Sequence, residues 1–305
     1  MPATTTRGRD VRGILLLDKP RGVTSNRALQ QVKRLYGAAK AGHTGSLDPL
    51  ATGMLPICFG VATRLGGFLL DAEKAYRVTA RFGVATDTAD ADGAVTERRD
   101  APAPTAAAVE DALAKFRGEV EQVPPMYSAL KQGGRRLYEL ARSGLVVARD
   151  ARRVTIFELV LERFEWPEAE LYVRCSKGTY VRSLVVDLAA ALGTVGHVVE
   201  LRRVAVEPFG GERMVTVAEL EALAANGGVS ALDARLLPPD RALVGWPEVL
   251  LSDEAAERLA HGQAVAADPA WPRGRVKVYR EPRELLAIGE ITPDGRLAPQ
   301  RVFAR

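Results

Sequence analysis

Hydrophobic and polar residues follow two different periods along the first two thirds of the chain. Between Tyr76 and Phe82 every second residue is apolar, which is the period of a half-buried strand with Tyr76 on its inward face. Similar patterns predict strands over residues 11–18, 152–164, 170–176 and 197–206. Apolar stripes with helical spacing and matching end signals predict helices over 25–37, 105–116 and 179–192. The chain therefore mixes strands with helices.

The pattern loosens near Pro238-Pro239. Beyond it, Ser252 can cap a short helix that runs from Asp253 to His261, and short strands are predicted around residues 275–279, 285–291 and 302–303. This is a small, mostly β unit. We therefore expect a main domain over residues 11–240, a second domain over 246–305, and a mobile basic arm over residues 1–10.

Composition agrees with a soluble globular protein. The chain has 305 residues, of which 47% are hydrophobic and 26% charged, and this length predicts about two domains. The apolar run at residues 14–17 is too short for a signal peptide or a membrane span, so we expect a cytoplasmic protein. Cys58 and Cys175 are far apart in sequence and predict neither a disulfide framework nor a zinc site.

Charge is distributed unevenly, although the net charge is only +4. Residues 1–40 hold nine Lys and Arg against two acids, and residues 127–153 hold seven against two, whereas residues 86–121 are acidic. Two basic segments favour binding of a nucleic-acid backbone. An overall excess of arginine over lysine is an alternative explanation of these local counts.

The run GHTGSLDPLATG at residues 42–53 is the most informative motif. Its three glycines and one proline keep the backbone out of regular structure around a single carboxylate, Asp48. An Asp before Pro is also common as a helix cap or in an Asx turn. From the pattern alone, Asp48 could be a functional carboxylate presented by an irregular loop or a residue that stabilises a turn, and both interpretations stay open.

Several other kinds of site are not supported. Residues 88–93 imitate a calcium-binding loop but lack its first and last ligands, so we interpret them as a β-turn on an acidic surface loop. The three histidines, at positions 43, 197 and 261, are too scattered to predict a metal cluster. The glycines match neither a phosphate-binding nor a dinucleotide-binding loop. We therefore expect no metal and no cofactor.

The run at 42–53 resembles the active-site motif of the TruB family of tRNA pseudouridine synthases, with Asp48 at the position of the nucleophile. Other segments resemble further motifs of that family in the same order: GILLLDKPRGVTS at 13–25, KAYRV at 74–78, QVPPMYSALK at 122–131, CSKGTYVRSL at 175–184 and LRR at 201–203. The resemblance implies an α+β fold. Its catalytic domain would have a mixed, largely antiparallel central sheet flanked by helices, and residues 246–305 would form a PUA-type RNA-binding domain.

The implied reaction is isomerisation of uridine to pseudouridine at position 55 in the T-loop of tRNA. It breaks the bond between C1′ and N1, turns the uracil and joins it through C5, so it needs no redox cofactor or group donor. An aspartate could attack the sugar or add to the uracil ring, and the sequence leaves both routes open.

The resemblance also assigns roles around Asp48. Arg182 would keep the carboxylate ionised, Tyr180 would line the same pocket, and Tyr76 would stack on the base and assist removal of the C5 proton. Without the resemblance, an Arg at a helix start is usually a surface residue and a strand tyrosine is equally well explained by core packing.

Further positions are assigned by the same resemblance. His43 would occupy the space that the flipped base leaves, and Leu201 would contact the base. Lys19 and Pro20 would buttress the region of Tyr76, and Lys177 would support the motif at 175–184. A structural His, a core leucine and a plain turn at 19–20 are the corresponding alternatives.

The expected partner is the T-arm of tRNA, bound by a monomer that needs no protein partner and acts away from membranes. Two alternatives stay open at this point. One is the catalytic subunit of a guide-RNA-dependent synthase, against which we note the absence of long basic extensions. The other is an RNA-binding or tRNA-folding protein whose isomerase activity is incidental.

Overall fold

The computed structural model describes residues 8–128, 130–145 and 147–303. In chain order, strands β1 to β18 are Gly13–Lys19, Ala41–His43, Thr52–Phe59, Lys74–Phe82, Val84–Thr86, Val95–Arg98, Gly118–Gln122, Lys131–Gln132, Arg135–Arg136, Arg152–Glu165, Glu168–Cys175, Gly196–Val206, Val215–Thr216, Glu248–Leu251, Val265–Ala266, Gly274–Arg280, Glu284–Ile291 and Arg296–Val302. Helices α1 to α7 are Ser25–Leu35, Gly66–Asp71, Ala106–Ala114, Leu137–Arg142, Val181–Ala191, Val217–Asp233 and Asp253–Ala260. Short 3-10 segments lie at Gly60–Leu65 and Pro239–Leu243.

A large mixed sheet forms the main body of the molecule. Its strand order is β13-β1-β3-β12-β4-β11-β10-β7, and β2 pairs with β3. The β1–β13 and β3–β12 pairs are parallel, whereas the other pairs along this order are antiparallel. The predicted α+β fold with a mixed, largely antiparallel central sheet is confirmed.

Helices cover the sheet where its apolar residues emerge. Val109 and Leu113 of α3 and Leu184 and Leu188 of α5 pack in one buried cluster with apolar residues of β4, β10 and β11. Helices α1 and α6 pack in another cluster with β1 and β3. The strand predicted from the alternation at Tyr76–Phe82 is confirmed as part of β4.

Helix caps show where the sequence interpretation was right and where it was wrong. Thr105, the first residue of a predicted helix, caps α3. Thr24 caps α1, one residue before the predicted start, whereas the Ser25 hydroxyl is bound to the loop that carries Asp48. Helix α6 was not predicted, although Thr216 and Glu219 form a capping box at its start.

A second, five-stranded sheet has the order β14-β16-β17-β18-β15. Ser252 caps α7 beside it, as predicted, and β18 begins at Arg296, six residues before the predicted strand. This sheet does not stand apart from the rest. Trp246, Ile288 and Phe303 share a buried cluster with Leu16 and Met54 of the main sheet.

The predicted mobile arm is only partly within the described residues, because residues 1–7 lie outside them. Arg9 is held on the main body: its backbone bonds to Gly37 and Ala39, and its guanidinium forms an ion pair with Asp233. Within the described part of the arm, Arg9 thus contacts the main body, and the mobility of the arm stays a prediction. Within the described residues, no helix is long and apolar enough to cross a membrane.

Candidate active site

A cleft with a volume of about 360 Å³ opens at the ends of β4 and β12 beside the start of α5. Predicted site residues that line it are Asp48, Tyr76, Tyr180, Arg182 and Leu201. These positions come from four different segments of the chain. The fold therefore gathers most of the predicted site into one space.

The loop between β2 and β3 presents Asp48 to the cleft. The Ser25 hydroxyl donates to the carbonyl of Leu47 at 3.0 Å and accepts from the amide of Leu47 at 2.8 Å. The Gly22 amide donates to the carbonyl of Pro49 at 2.8 Å. Both residues next to Asp48 are thus tied to the β1–α1 connection, which explains how an irregular loop holds one position.

Arg182 forms an ion pair with Asp48, at 3.0 Å between Nη2 and Oδ2. The arginine side chain is only 4% exposed, whereas the Asp48 side chain is 41% exposed and faces the cleft. Nη1 and Nη2 also donate to the carbonyls of Thr88 and Tyr127, at 2.8 and 2.7 Å. The guanidinium is therefore fixed independently of Asp48.

Burial raises the pKa of Asp48 above its ordinary value, and the charge of Arg182 opposes that rise. Asp90 adds to the rise, since its carboxylate lies 3.8 Å from Arg182 Nη1 and shares the same guanidinium. The geometry thus balances a desolvated carboxylate against one buried cation, and the ionised form depends on Arg182.

Arg203 lies almost fully buried behind the cleft and directly opposite Tyr76 in the β4–β12 register. Its guanidinium donates to the carbonyls of Met54 at 2.7 Å and Gly45 at 3.0 Å. Burial raises the pKa of Tyr76, and the neighbouring Arg203 charge opposes that shift. Arg203 therefore links the Asp48 loop to the tyrosine strand.

Comparison with known proteins identifies the family. The family model described as "TruB family pseudouridylate synthase (N terminal domain)" matches residues 33–181, and two TruB C-terminal models match residues 182–244 and 247–303. The chain is 51% identical to tRNA pseudouridine synthase B of Pseudomonas aeruginosa over 295 residues, which cover 97% of each chain. The chain belongs to the TruB family. It is an enzyme of the pseudouridine synthase class, as the sequence predicted.

Other relatives agree with this assignment. The tRNA pseudouridine synthase B of Pectobacterium atrosepticum is 50% identical over 303 residues, which cover 97% of this chain and 96% of that one. Among solved structures, a chain of a Cbf5-Nop10-Gar1 complex superposes with a TM-score of 0.72 at 26% identity, covering 96% of this chain and 85% of that one. The TruB fold assignment thus rests on both sequence and structure.

Four predicted residues, His43, Lys177, Lys19 and Pro20, lie outside the TruB cleft as the described residues form it. His43 ends β2, where burial and the charge of Arg203 lower its pKa. The Lys177 side chain is exposed and pairs with Asp71 at 2.8 Å. Lys19 is fully buried, and its ammonium donates to the carbonyls of Pro20, Val23 and Pro49.

Lys19 therefore ties the residues that follow β1 to the loop of Asp48 through Pro49, at 3.4 Å. That Lys19 and Pro20 buttress the region of Tyr76 stays a prediction. Burial lowers the pKa of Lys19 to about 8. Lys74 shows the same behaviour at the wall of the cleft: its pKa is lowered to about 8, and its ammonium donates to the carbonyls of Leu69, Leu70 and Ala72.

The sequence interpretation missed several residues that shape the TruB site. Arg203 could have been found, because the period of two places it on the same face as Leu201. Gln122 clamps the backbone of Tyr180, accepting from its amide at 3.0 Å. Asp90 was assigned to a surface loop, and that was wrong: the residue is only 5% exposed. Its acidic sequence neighbourhood carries no signal of burial.

Within the described residues, no group of three or more His, Cys, Asp or Glu side chains is placed to hold a metal ion.

Proposed function

We propose that this protein isomerises uridine to pseudouridine at position 55 in the T-loop of tRNA, with Asp48 as the nucleophile. The observation that carries the proposal is the carboxylate of Asp48, which faces a cleft and is held 3.0 Å from the buried Arg182. The relatives at about half identity over nearly the whole chain, named tRNA pseudouridine synthase B, support the substrate.

In this mechanism the ionised Asp48 forms a bond to the substrate, either at C1′ of the ribose or on the uracil ring. The C1′–N1 bond breaks, the uracil turns within the cleft, and C1′ joins C5. The bond between Asp48 and the substrate is then cleaved, and its electron pair returns to the carboxylate. The C5 proton then leaves and the N1 position gains a proton, so no electron or group is exchanged with a cofactor. Arg182 maintains the charge of Asp48 during the desolvation that substrate binding causes.

Tyr76 and Leu201 provide the walls that would hold the detached base. Both line the cleft, and Tyr76 offers a ring for stacking and a hydroxyl for proton removal at C5. The uridine must be extruded from the folded arm to reach them. We assign His43, at the end of β2 beside the Asp48 loop, to the space that the base vacates.

We further propose that the protein acts as a stand-alone cytoplasmic monomer on the T-arm, and that residues 246–305 form a PUA-type domain that binds tRNA. The identity of 51% over 97% of a tRNA pseudouridine synthase B, against 26% to the Cbf5 chain, favours this over a guide-RNA-dependent subunit.

The test is incubation of the pure protein with an unmodified tRNA transcript, without guide RNA, followed by mapping of pseudouridine. Asp48→Asn should bind tRNA within several-fold of wild type and lose turnover by many orders of magnitude, since an amide keeps the shape but is not a nucleophile. Asp71→Asn, in the exposed ion pair with Lys177, is the matched control and should stay active.

Retention of more than one-tenth of the wild-type rate by Asp48→Asn would remove this carboxylate from the mechanism. Wild-type protein that refolds tRNA but forms no pseudouridine would instead favour the RNA-folding function.

A further inference from the structure

Two arginines of the second sheet meet over one aromatic ring of the main body. The guanidinium carbons of Arg275, on β16, and Arg301, on β18, each lie 5.8 Å from the ring centroid of Phe68 on α2. Arg275 is also 5.8 Å from the ring of Trp246, and the Phe68 and Trp246 rings pack edge to face at 5.3 Å. Both arginines are exposed.

Neither arginine has a carboxylate within salt-bridge distance among the residues that the structure describes. Other cations of the same sheet do have one. Lys277 and Arg283 both pair with Glu248, and Arg280 pairs with Glu284 at 2.6 Å. The sheet thus pairs these three cations with carboxylates, whereas Arg275 and Arg301, which share the Phe68 ring at the seam with the main body, have no such partner among the described residues.

Stacking on an aromatic ring leaves the edge of a guanidinium free. Cation–π contact uses the face of the group, so its N–H donors can still form paired hydrogen bonds to a phosphate. Arg301 uses Nη1 to donate to the carbonyl of Arg64 at 2.6 Å. Two adjacent cations repel each other unless an anion lies between them.

The seam lies close to the active cleft. Helix α2 carries Phe68 on the seam and Leu70 on the wall of the cleft. Residues two apart lie on opposite sides of a helix, so the seam and the cleft are separated by about the width of α2, roughly 10 Å. An RNA segment that enters the cleft and extends across α2 therefore comes within reach of both guanidinium groups.

We propose that Arg275 and Arg301 form a binding site for backbone phosphates of the substrate RNA, next to the nucleotide that reacts. This inference rests on the proposed function, because it takes the RNA in the cleft as the ligand. It assigns the anchoring of the reacting segment to the seam between the two sheets.

The experiment measures tRNA affinity against salt concentration for wild type, Arg275→Gln, and the double variant Arg275→Gln/Arg301→Gln. Each lost phosphate contact should reduce the slope of log affinity against log salt by about 0.7 to 0.9, and affinity at moderate salt should fall about threefold to tenfold per arginine. Single-turnover rates at saturating enzyme should remain unchanged, because Asp48 and Arg182 are untouched.

Arg280→Gln is the matched control, since it removes an arginine that already has a carboxylate partner; its slope should equal that of wild type. Thermal melting separates loss of binding from loss of folding, and Arg275→Gln alone serves if the double variant does not fold. A wild-type slope and affinity in folded Arg275→Gln, or an equal loss in Arg280→Gln, would overturn the proposal. Pseudouridine formation by wild type is measured separately. A failure of the proposed function can therefore be distinguished from a failure of the phosphate-binding proposal.

Discussion

Replacement of Arg182 by Met should cost the enzyme about 10²- to 10⁴-fold in single-turnover rate. Two unit charges 3.0 Å apart attract by about 5 to 6 kcal/mol at an effective dielectric constant near 20. The Asp48 side chain is 41% exposed, so solvent screens part of this attraction. A remaining stabilisation of about 3 to 5 kcal/mol corresponds to the expected loss in rate. The variant would also leave Asp48 and Asp90 close together without the cation between them.

The pH dependence gives a sharper test than the rate alone. The proposed mechanism requires ionised Asp48, so we expect the rate to fall as pH drops through the pKa of this carboxyl. Burial already raises that pKa, and Arg182 opposes the rise. Loss of Arg182 must therefore move the acid limb of the pH–rate profile to higher pH, and the deficit should shrink as the pH increases.

The assay is single-turnover conversion of tRNA with enzyme in excess, measured from about pH 6 to pH 9. Arg174→Met is the control: this arginine has two carboxylate partners, Glu73 and Glu158, but its side chain is 37% exposed, and it should lose less than about threefold. Arg182→Lys restores the charge without the full set of donors and should recover part of the rate. A folded Arg182→Met with an unmoved acid limb would refute the assigned role of the arginine.

Two further predictions concern stability. Lys19 has a pKa of about 8 in the folded protein against an ordinary value of 10.5, so between these pH values the unfolded chain binds more protons and the contribution of Lys19 to stability rises with pH. In urea unfolding, the free energy of unfolding that Lys19→Met loses relative to wild type should therefore grow from about pH 8 to pH 10, and a loss that shrinks over this range would contradict the shift. Deletion of residues 246–305 removes Trp246, Ile288 and Phe303 from a shared core, so we expect aggregation or a lower melting temperature, and a soluble truncation with a wild-type melting temperature would contradict it.

The parts of the fold that could be predicted are those in which local pattern and burial agree. Strand β4 alternates from Tyr76 to Phe82 because one face packs on α5 and the other does not. Strand β3 has no such alternation, since nearly all of its residues are buried. A continuous apolar run has no periodicity that would distinguish a strand from a buried helix. It was therefore missed, although it leads away from the Asp48 loop.

In the site, too, residues that stand in local sequence motifs could be predicted and their distant partners could not. Asp48, Tyr76 and Arg182 stand in distinctive sequence motifs, and the structure places all three on one cleft. The residues that hold these side chains in place have no recognisable signal in their own sequence neighbourhood. Asp90 reaches Arg182 across 92 residues of sequence, and Arg203 reaches Gly45 across 158. Such contacts follow from strand order, which a single sequence does not specify.

The cations around the cleft suggest why this site suits a polyanionic substrate. Arg182, Arg203, Lys19 and Lys74 are buried, and most of their hydrogen bonds go to backbone carbonyls. A carbonyl satisfies a donor but cancels no charge, so the carboxylates of Asp48 and Asp90 offset the positive potential of the cleft only in part. Burial of these charges destabilises the fold, as the lowered pKa values of Lys19 and Lys74 indicate. In the proposed mechanism that cost has a functional counterpart, because the charge of Arg182 favours the ionised form of Asp48 and the positive potential attracts an RNA backbone to the cleft.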